Sequence, residues 1–224
     1  MTRTGKGKSP RLWGSLAIVS SLFAYHFTKG KEYERTPYED WAKEQGFFSN
    51  YVAQAYGIGV MKKFKSTGGR TRQIATQALC WFTGLASMEY FYGTPVMLLA
   101  FLFAAWIRMS VRMLEEEVEN PQGSELRGYR AYCCGSHLYW QLLGAGLMTL
   151  ATNTSYTRSL LGVALAFYVG LAIYDQKAPE YKRANERNKY FPVLWHASAF
   201  LMGIVWSGLM ALVSRGVHTK KNIS

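Results

Sequence analysis

The sequence of residues 138–174, LYWQLLGAGLMTLATNTSYTRSLLGVALAFYVGLAIY, contains one charged side chain, that of Arg158. Two apolar runs, 138–152 and 160–174, are joined by the polar turn 153–158. An apolar run of this kind is typical of a helix that crosses the hydrocarbon core of a lipid bilayer. We therefore predict that this stretch forms a hairpin of two transmembrane helices.

Apolar blocks of the same kind occur on both sides of this hairpin. They are residues 12–28, 74–92, 96–110 and 193–213. Gly93-Thr94-Pro95 separates the second block from the third, and the two blocks together would form about 55 Å of helix, too long for one crossing of a roughly 30 Å core. The sequence therefore predicts an all-α fold: a polytopic membrane helical bundle of about six transmembrane helices in one membrane domain, 1–224. Five helices are the alternative if one hairpin lies only at the interface.

The composition excludes several other classes of protein. The 224-residue chain is 49% hydrophobic and 18% charged, whereas about a quarter of the residues in a soluble domain are charged. Such an apolar chain is neither intrinsically disordered nor expected to be a water-soluble globule. Three cysteines cannot form a fully paired disulfide framework. The net charge of +12 does not predict nucleic-acid binding, because the basic residues are spread over separated loops.

Polar connections carry most of the charged residues. A basic tail, 1–11, precedes the first apolar block, and 29–73 is the longest polar loop. Within this loop Thr36-Pro37-Tyr38-Glu39 has the pattern of a capping box and predicts a short helix, and Ser49 can cap a second one. These interfacial helices either lie in the plane of the lipid headgroups or pack on a partner subunit. The third apolar block is expected to continue as a polar helix that Asn120-Pro121 ends.

Lysine and arginine residues are distributed unequally across the predicted membrane. Eight lie on one side and eighteen on the other, and the positive-inside tendency places the long basic loops in the cytoplasm or, for a mitochondrial inner-membrane protein, in the matrix. The basic, acid-free start of the chain is compatible with an uncleaved mitochondrial address, and we predict that location. The expected ligand is an anionic phospholipid such as cardiolipin. Its predicted headgroup contacts are Lys62, Lys63, Lys65, Arg70 and Arg72.

Glu89 is the only acidic residue inside a predicted transmembrane helix. Because a carboxylate is costly in hydrocarbon, such a residue is by default a candidate functional site, either a proton relay or the partner of a buried cation. Glu89 lies three residues before Tyr92, where the predicted helix ends. An ion pair or an interfacial position explains it as well.

Small residues recur every four positions along two of the predicted helices, a pattern that allows close helix–helix packing in lipid. They are Gly162, Ala166 and Gly170 in 160–174, and Ala199, Gly203, Ser207 and Ala211 in 193–213. Two interpretations are open. The two ridges either dock onto other helices or pack within this protein's own bundle, where they could face each other.

Two histidines, His137 and His196, lie at the starts of predicted helices that enter the membrane from the same side. Facing histidines can ligate haem or a metal in a helical bundle, or serve a membrane lipid enzyme. Contacts with lipid headgroups explain the same placement. The sequence contains no P-loop, no GxSxG and no metal-ligand motif, so we expect no metal, no catalytic residue and no enzymatic activity of the chain itself.

The stretch GGRTRQIATQALCWFTGLASMEYFYG, residues 68–93, resembles the second transmembrane helix of the Tim17/Tim22/Tim23 family at Gly69, Arg70, Gly84 and Glu89. This resemblance covers about a tenth of the chain and implies a transporter or protein-translocase component that uses Glu89 in a polar path. In type, the small, basic, polytopic and motif-poor chain resembles the supernumerary subunits of mitochondrial respiratory-chain or ATP synthase complexes. This second resemblance implies a non-catalytic accessory subunit among other membrane subunits, which is the function that we expect.

Overall fold

The computed structural model describes residues 12–33, 69–119, 136–177 and 194–221. Within these ranges the chain forms six α-helices and no strand, so the all-α prediction is confirmed for the described residues. The helices are α1 Trp13–Tyr33, α2 Gly69–Tyr92, α3 Thr94–Glu119, α4 Ser136–Asn153, α5 Thr157–Lys177 and α6 Trp195–Lys221. The short helices predicted after Thr36 and after Ser49 lie outside the described residues.

The chain reverses direction between α2 and α3 at a single residue, Gly93. Its φ of +88° lies in the left-handed region, which glycine adopts without the steric cost of a Cβ atom. The Gly93 N–H donates to the carbonyl oxygen of Glu89 at 2.9 Å, and Pro95 follows in the first turn of α3, where its fixed φ is favourable. The two helices run antiparallel, and the rings of Trp81 and Phe101 meet between them with centroids 5.2 Å apart.

Threonines form the reversal between α4 and α5. The Thr154 N–H donates to the carbonyl oxygen of Leu150 at 3.0 Å, and the Thr157 hydroxyl donates to that of Ala151 at 2.7 Å. The last carbonyl groups of a helix have no intrahelical donor. The polar residues of this turn supply those donors, and the last carbonyl groups of α4 are hydrogen-bonded by residues that follow directly in the chain.

Helix α4 lies at the centre of the bundle, in contact with α2, α3, α5 and α6. It runs parallel to α2 and α6: Asn153 Nδ2 donates to the Tyr92 hydroxyl at 3.0 Å, and the hydroxyls of Thr149 and Ser207 are 2.9 Å apart. Successive helices therefore alternate in direction. The start of α1 and the two tight turns lie at one end of the bundle, called the first end, and the starts of α2, α4 and α6 lie at the second end.

Glycines bring α4 within backbone distance of α2 and α6. A Cβ atom at Gly84 of α2 would overlap the carbonyl oxygen of Leu142, and one at Gly203 of α6 would overlap that of Gln141. Only glycine fits at these positions, because the obstructing atoms belong to the backbone and cannot rotate away. Close backbone approach therefore fixes the separation of the three helices.

Helix α5 lies at the periphery of the bundle. Its buried residues are Ala164, Leu171 and Asp175. Among the described residues, α5 is the one helix long and apolar enough to cross a membrane. Shorter apolar stretches occur in three other helices, at Trp13–Tyr25, Thr94–Ile107 and His196–Leu212.

We expect Gly203→Ala to destabilise the isolated protein by about 1–3 kcal/mol, because the added methyl group forces α6 away from the Gln141 carbonyl oxygen. Gly162→Ala on α5 is the matched control. A Cβ atom at Gly162 meets nothing within 4 Å, and alanine favours the helix by roughly 0.8–1 kcal/mol. Thermal unfolding in detergent measures both, and equal melting temperatures for the two variants would contradict the close packing of α4 and α6.

Candidate functional site

Among the residues whose side chains the structure describes, two acidic ones, Glu89 and Asp175, are buried in the bundle, one at each end. Glu89 is 5% exposed and Asp175 is fully buried. Each lies in the last turn of its own helix, beside the first turn of a different helix. A buried carboxylate is costly unless it is hydrogen-bonded, so the partners of these two residues define the candidate site.

Glu89 accepts four hydrogen bonds at the first end of the bundle. Its Oε1 atom accepts from the Gly14 N–H at 2.9 Å and from the Thr94 hydroxyl at 2.8 Å. Its Oε2 atom accepts from the N–H and the hydroxyl of Ser15, at 2.8 and 2.6 Å. A carboxylate offers about four lone-pair positions, so these four neutral donors occupy the hydrogen-bonding capacity of Glu89.

These hydrogen bonds cap the start of α1. A helix begins with amide groups that lack an intrahelical acceptor, and the residue before the first turn is commonly Ser, Thr, Asp or Asn. In this chain that residue is Leu12, which has no side-chain acceptor. Glu89 supplies the acceptor from α2, and its negative charge lies at the positive end of the α1 dipole.

Gly14 leaves the space that the carboxylate occupies. A Cβ atom at Gly14 would lie 2.7 Å from Glu89 Oε1, 2.6 Å from the Met97 side chain and 2.9 Å from the Thr94 side chain. A larger residue would therefore push Glu89 away from the start of α1 or separate α1 from α3. The cap depends on the absence of a side chain at this position.

Asp175 forms the corresponding cap at the second end, on α6. Its Oδ2 atom accepts from the N–H groups of His196 and Ala197 at 2.8 and 3.0 Å, and its Oδ1 atom contacts His196 Nδ1. The His196 ring also meets the Tyr174 ring edge-on at 5.5 Å. The residue before α6 is Leu194, which again has no side-chain acceptor.

Sequence reasoning missed Asp175, because the predicted apolar run ended at Tyr174. Two signals could have found it. An acidic residue in the last turn of a helix opposes the helix dipole, and the following helix begins after Leu194 without a capping residue. The same two signals occur at Glu89 and Leu12, and together they indicate that each carboxylate caps another helix.

The small residues predicted on α6 lie between α6 and α4. All four, namely Ala199, Gly203, Ser207 and Ala211, are buried. The Ser207 hydroxyl lies 3.0 Å from the carbonyl oxygen of Ala145 and 2.9 Å from the Thr149 hydroxyl. This ridge therefore packs inside the bundle of the chain itself.

The small residues predicted on α5 have the opposite placement. Gly162, Ala166 and Gly170 are exposed, and a Cβ atom at either glycine meets nothing within 4 Å. The α5 and α6 ridges therefore do not face each other. Within the described part of the chain, the α5 ridge packs against no other helix.

Other predicted residues fall outside the part of the chain whose side chains the structure describes. They are Lys62, Lys63 and Lys65, and the side chains of Arg70, Arg72 and His137. A pairing of His137 with His196 is therefore not described. Among the described residues, no group of three or more His, Cys, Asp or Glu is arranged to hold a metal ion.

Comparison with protein-family models, with curated proteins and with solved structures finds no match to this chain. The candidate site therefore rests on its own geometry. It consists of two carboxylates that fix helix starts, and of an external ridge of small residues on α5 that the bundle itself leaves uncovered.

We expect Glu89→Ala to destabilise the start of α1 by about 1–3 kcal/mol, because the Gly14 and Ser15 amides lose their acceptor. Glu89→Gln keeps one acceptor oxygen, so its effect is expected to be smaller. Hydrogen exchange of the α1 amides measures this effect, with Gln176→Ala at an exposed position as the control. Equal protection of the α1 amides in Glu89→Ala and the unchanged protein would show that Glu89 is not the cap.

A double-mutant cycle tests the cap on α6. Asp175→Ala removes the acceptor of two amides and the contact with the imidazole, whereas His196→Ala leaves the amides their acceptor and removes the imidazole with its contacts to Asp175 and Tyr174. We expect the first variant to lose more stability than the second, and the double variant to lose less stability than the sum of the two single losses. The expected coupling is about 0.5–3 kcal/mol by equilibrium unfolding in detergent. Strictly additive losses would mean that the two side chains act independently.

Proposed function

We propose that this chain is a non-catalytic accessory subunit of a multi-subunit complex in the mitochondrial inner membrane, either a respiratory-chain complex or the ATP synthase. It stabilises the complex by packing its helices against neighbouring subunits and by binding phospholipid. The exposed ridge of small residues on α5 is the observation that carries this proposal. Apolar surface, aromatic residues and charge distribution support the membrane location.

Exposed apolar side chains support a position in a lipid bilayer. On the outer faces of α3, α5 and α6, large apolar side chains such as Leu99, Leu165 and Leu212 are 68%, 63% and 65% exposed. A monomeric soluble protein rarely exposes extended apolar surface on several helices at once. In a bilayer the same surface contacts lipid chains.

Exposed aromatic residues near both ends of the bundle support the same location. Trp13, Tyr90 and Tyr156 lie at the first end, and Trp106 and Tyr174 lie towards the second. Tryptophan and tyrosine are enriched at the two membrane–water interfaces. Tyr156 directly precedes α5, and about 27 Å along the helix axis separate it from Tyr174, close to the roughly 30 Å thickness of a hydrocarbon core.

In this placement the two buried carboxylates lie at the same depth in the bilayer as the neighbouring aromatic residues. Glu89 immediately precedes Tyr90, and Asp175 immediately follows Tyr174. Both therefore lie near an interface and away from the bilayer midplane, where a charge is most costly. Both carboxylate oxygens of Glu89 already accept hydrogen bonds from groups within the bundle. This geometry favours a structural role of Glu89 over the transporter or translocase alternative.

The glycines of α5 differ from those at the centre of the bundle. At Gly84 and Gly203, close backbone contact offsets the low helix propensity of glycine. Gly162 and Gly170 each cost the helix about 1 kcal/mol relative to alanine, but they have no such contact in this chain. A transmembrane helix of a neighbouring subunit, packed along Gly162, Ala166 and Gly170, would provide the close backbone contact that these glycines lack within the chain.

The charge distribution supports the orientation and the lipid ligand. Eighteen of the 26 Lys and Arg residues belong to the sequence segments 29–73, 108–136 and 175–192, which connect helix ends that lie at the second end of the bundle. The positive-inside tendency places this end in the matrix. Anionic phospholipid, cardiolipin in this proposal, would neutralise part of this charge.

Ala166→Leu tests the proposed docking ridge, because the larger side chain prevents close approach of a second helix. We expect the amount of this chain in the large complex to fall about tenfold, which corresponds to ~1.4 kcal/mol of association free energy. Blue-native electrophoresis with mass spectrometry measures it. Ala17→Leu, the same change at an exposed position of α1, is the control. Undiminished assembly of Ala166→Leu would exclude the ridge as the docking surface, and migration of the unchanged chain alone would exclude the subunit role.

Cysteine labelling tests the membrane crossing of α5. Ser155→Cys and Gln176→Cys place thiols at exposed positions near opposite ends of this helix, in a background with Cys80, Cys133 and Cys134 replaced by serine. We expect a membrane-impermeant thiol reagent to label residue 176 only from the matrix side and residue 155 only from the opposite side. Labelling of both from one side, or release of the protein by alkaline carbonate, would rule out the crossing.

A further inference from the structure

We draw no further inference here: the strongest candidate, the apolar groove between α3 and α6 on either side of Trp206, is open along its length, and nothing in the described residues shows what covers it.

Discussion

The pairing of the first amides of α1 and α6 is the constraint on which the rest of this bundle depends. Neither the Leu12 nor the Leu194 side chain offers an acceptor to the first amides of the helix that follows it, and an unpaired buried amide costs about 1–3 kcal/mol. Glu89 and Asp175 meet this need from neighbouring helices. A tertiary contact thus replaces a local cap. As a result, α1 can begin only where α2 ends, and α6 can begin only where α5 ends.

Between these two caps, the packing around α4 relies on backbone approach. Gly84 on α2 and Gly203 on α6 allow the carbonyl groups of α4 to lie against them, and a hydrogen bond between Thr149 and Ser207 adds a polar link. In the lipid bilayer that we propose for this bundle, helices would gain no hydrophobic free energy by meeting, and contact area and such polar links would supply the association free energy. A bundle built in this way can leave its outer surface apolar.

The parts of this fold that are determined by residues close together in the chain could be predicted from the sequence. Apolar runs indicate the helices, and α3 ends at Glu119, directly before Asn120-Pro121. The two carboxylate caps could not be predicted as contacts, because they join residues far apart in the chain: 74 positions separate Ser15 from Glu89, and 21 separate Asp175 from His196. The sequence holds only indirect signs of them, namely an acidic residue in the last turn of one helix and the lack of a capping residue before another.

For the small-residue ridges, the sequence predicts close packing but not the helix against which each ridge packs. The same spacing occurs on α5 and α6, yet one ridge is exposed and the other is buried, because small side chains allow a close approach without specifying the partner. Both ends of α5 are held by the bundle, through the Thr157 hydroxyl on Ala151 and through Asp175 on α6. The ridge between them is therefore presented on a helix that is already ordered. Because α5 is already ordered, this chain would lose little conformational entropy when a partner packs on the ridge, and this favours association.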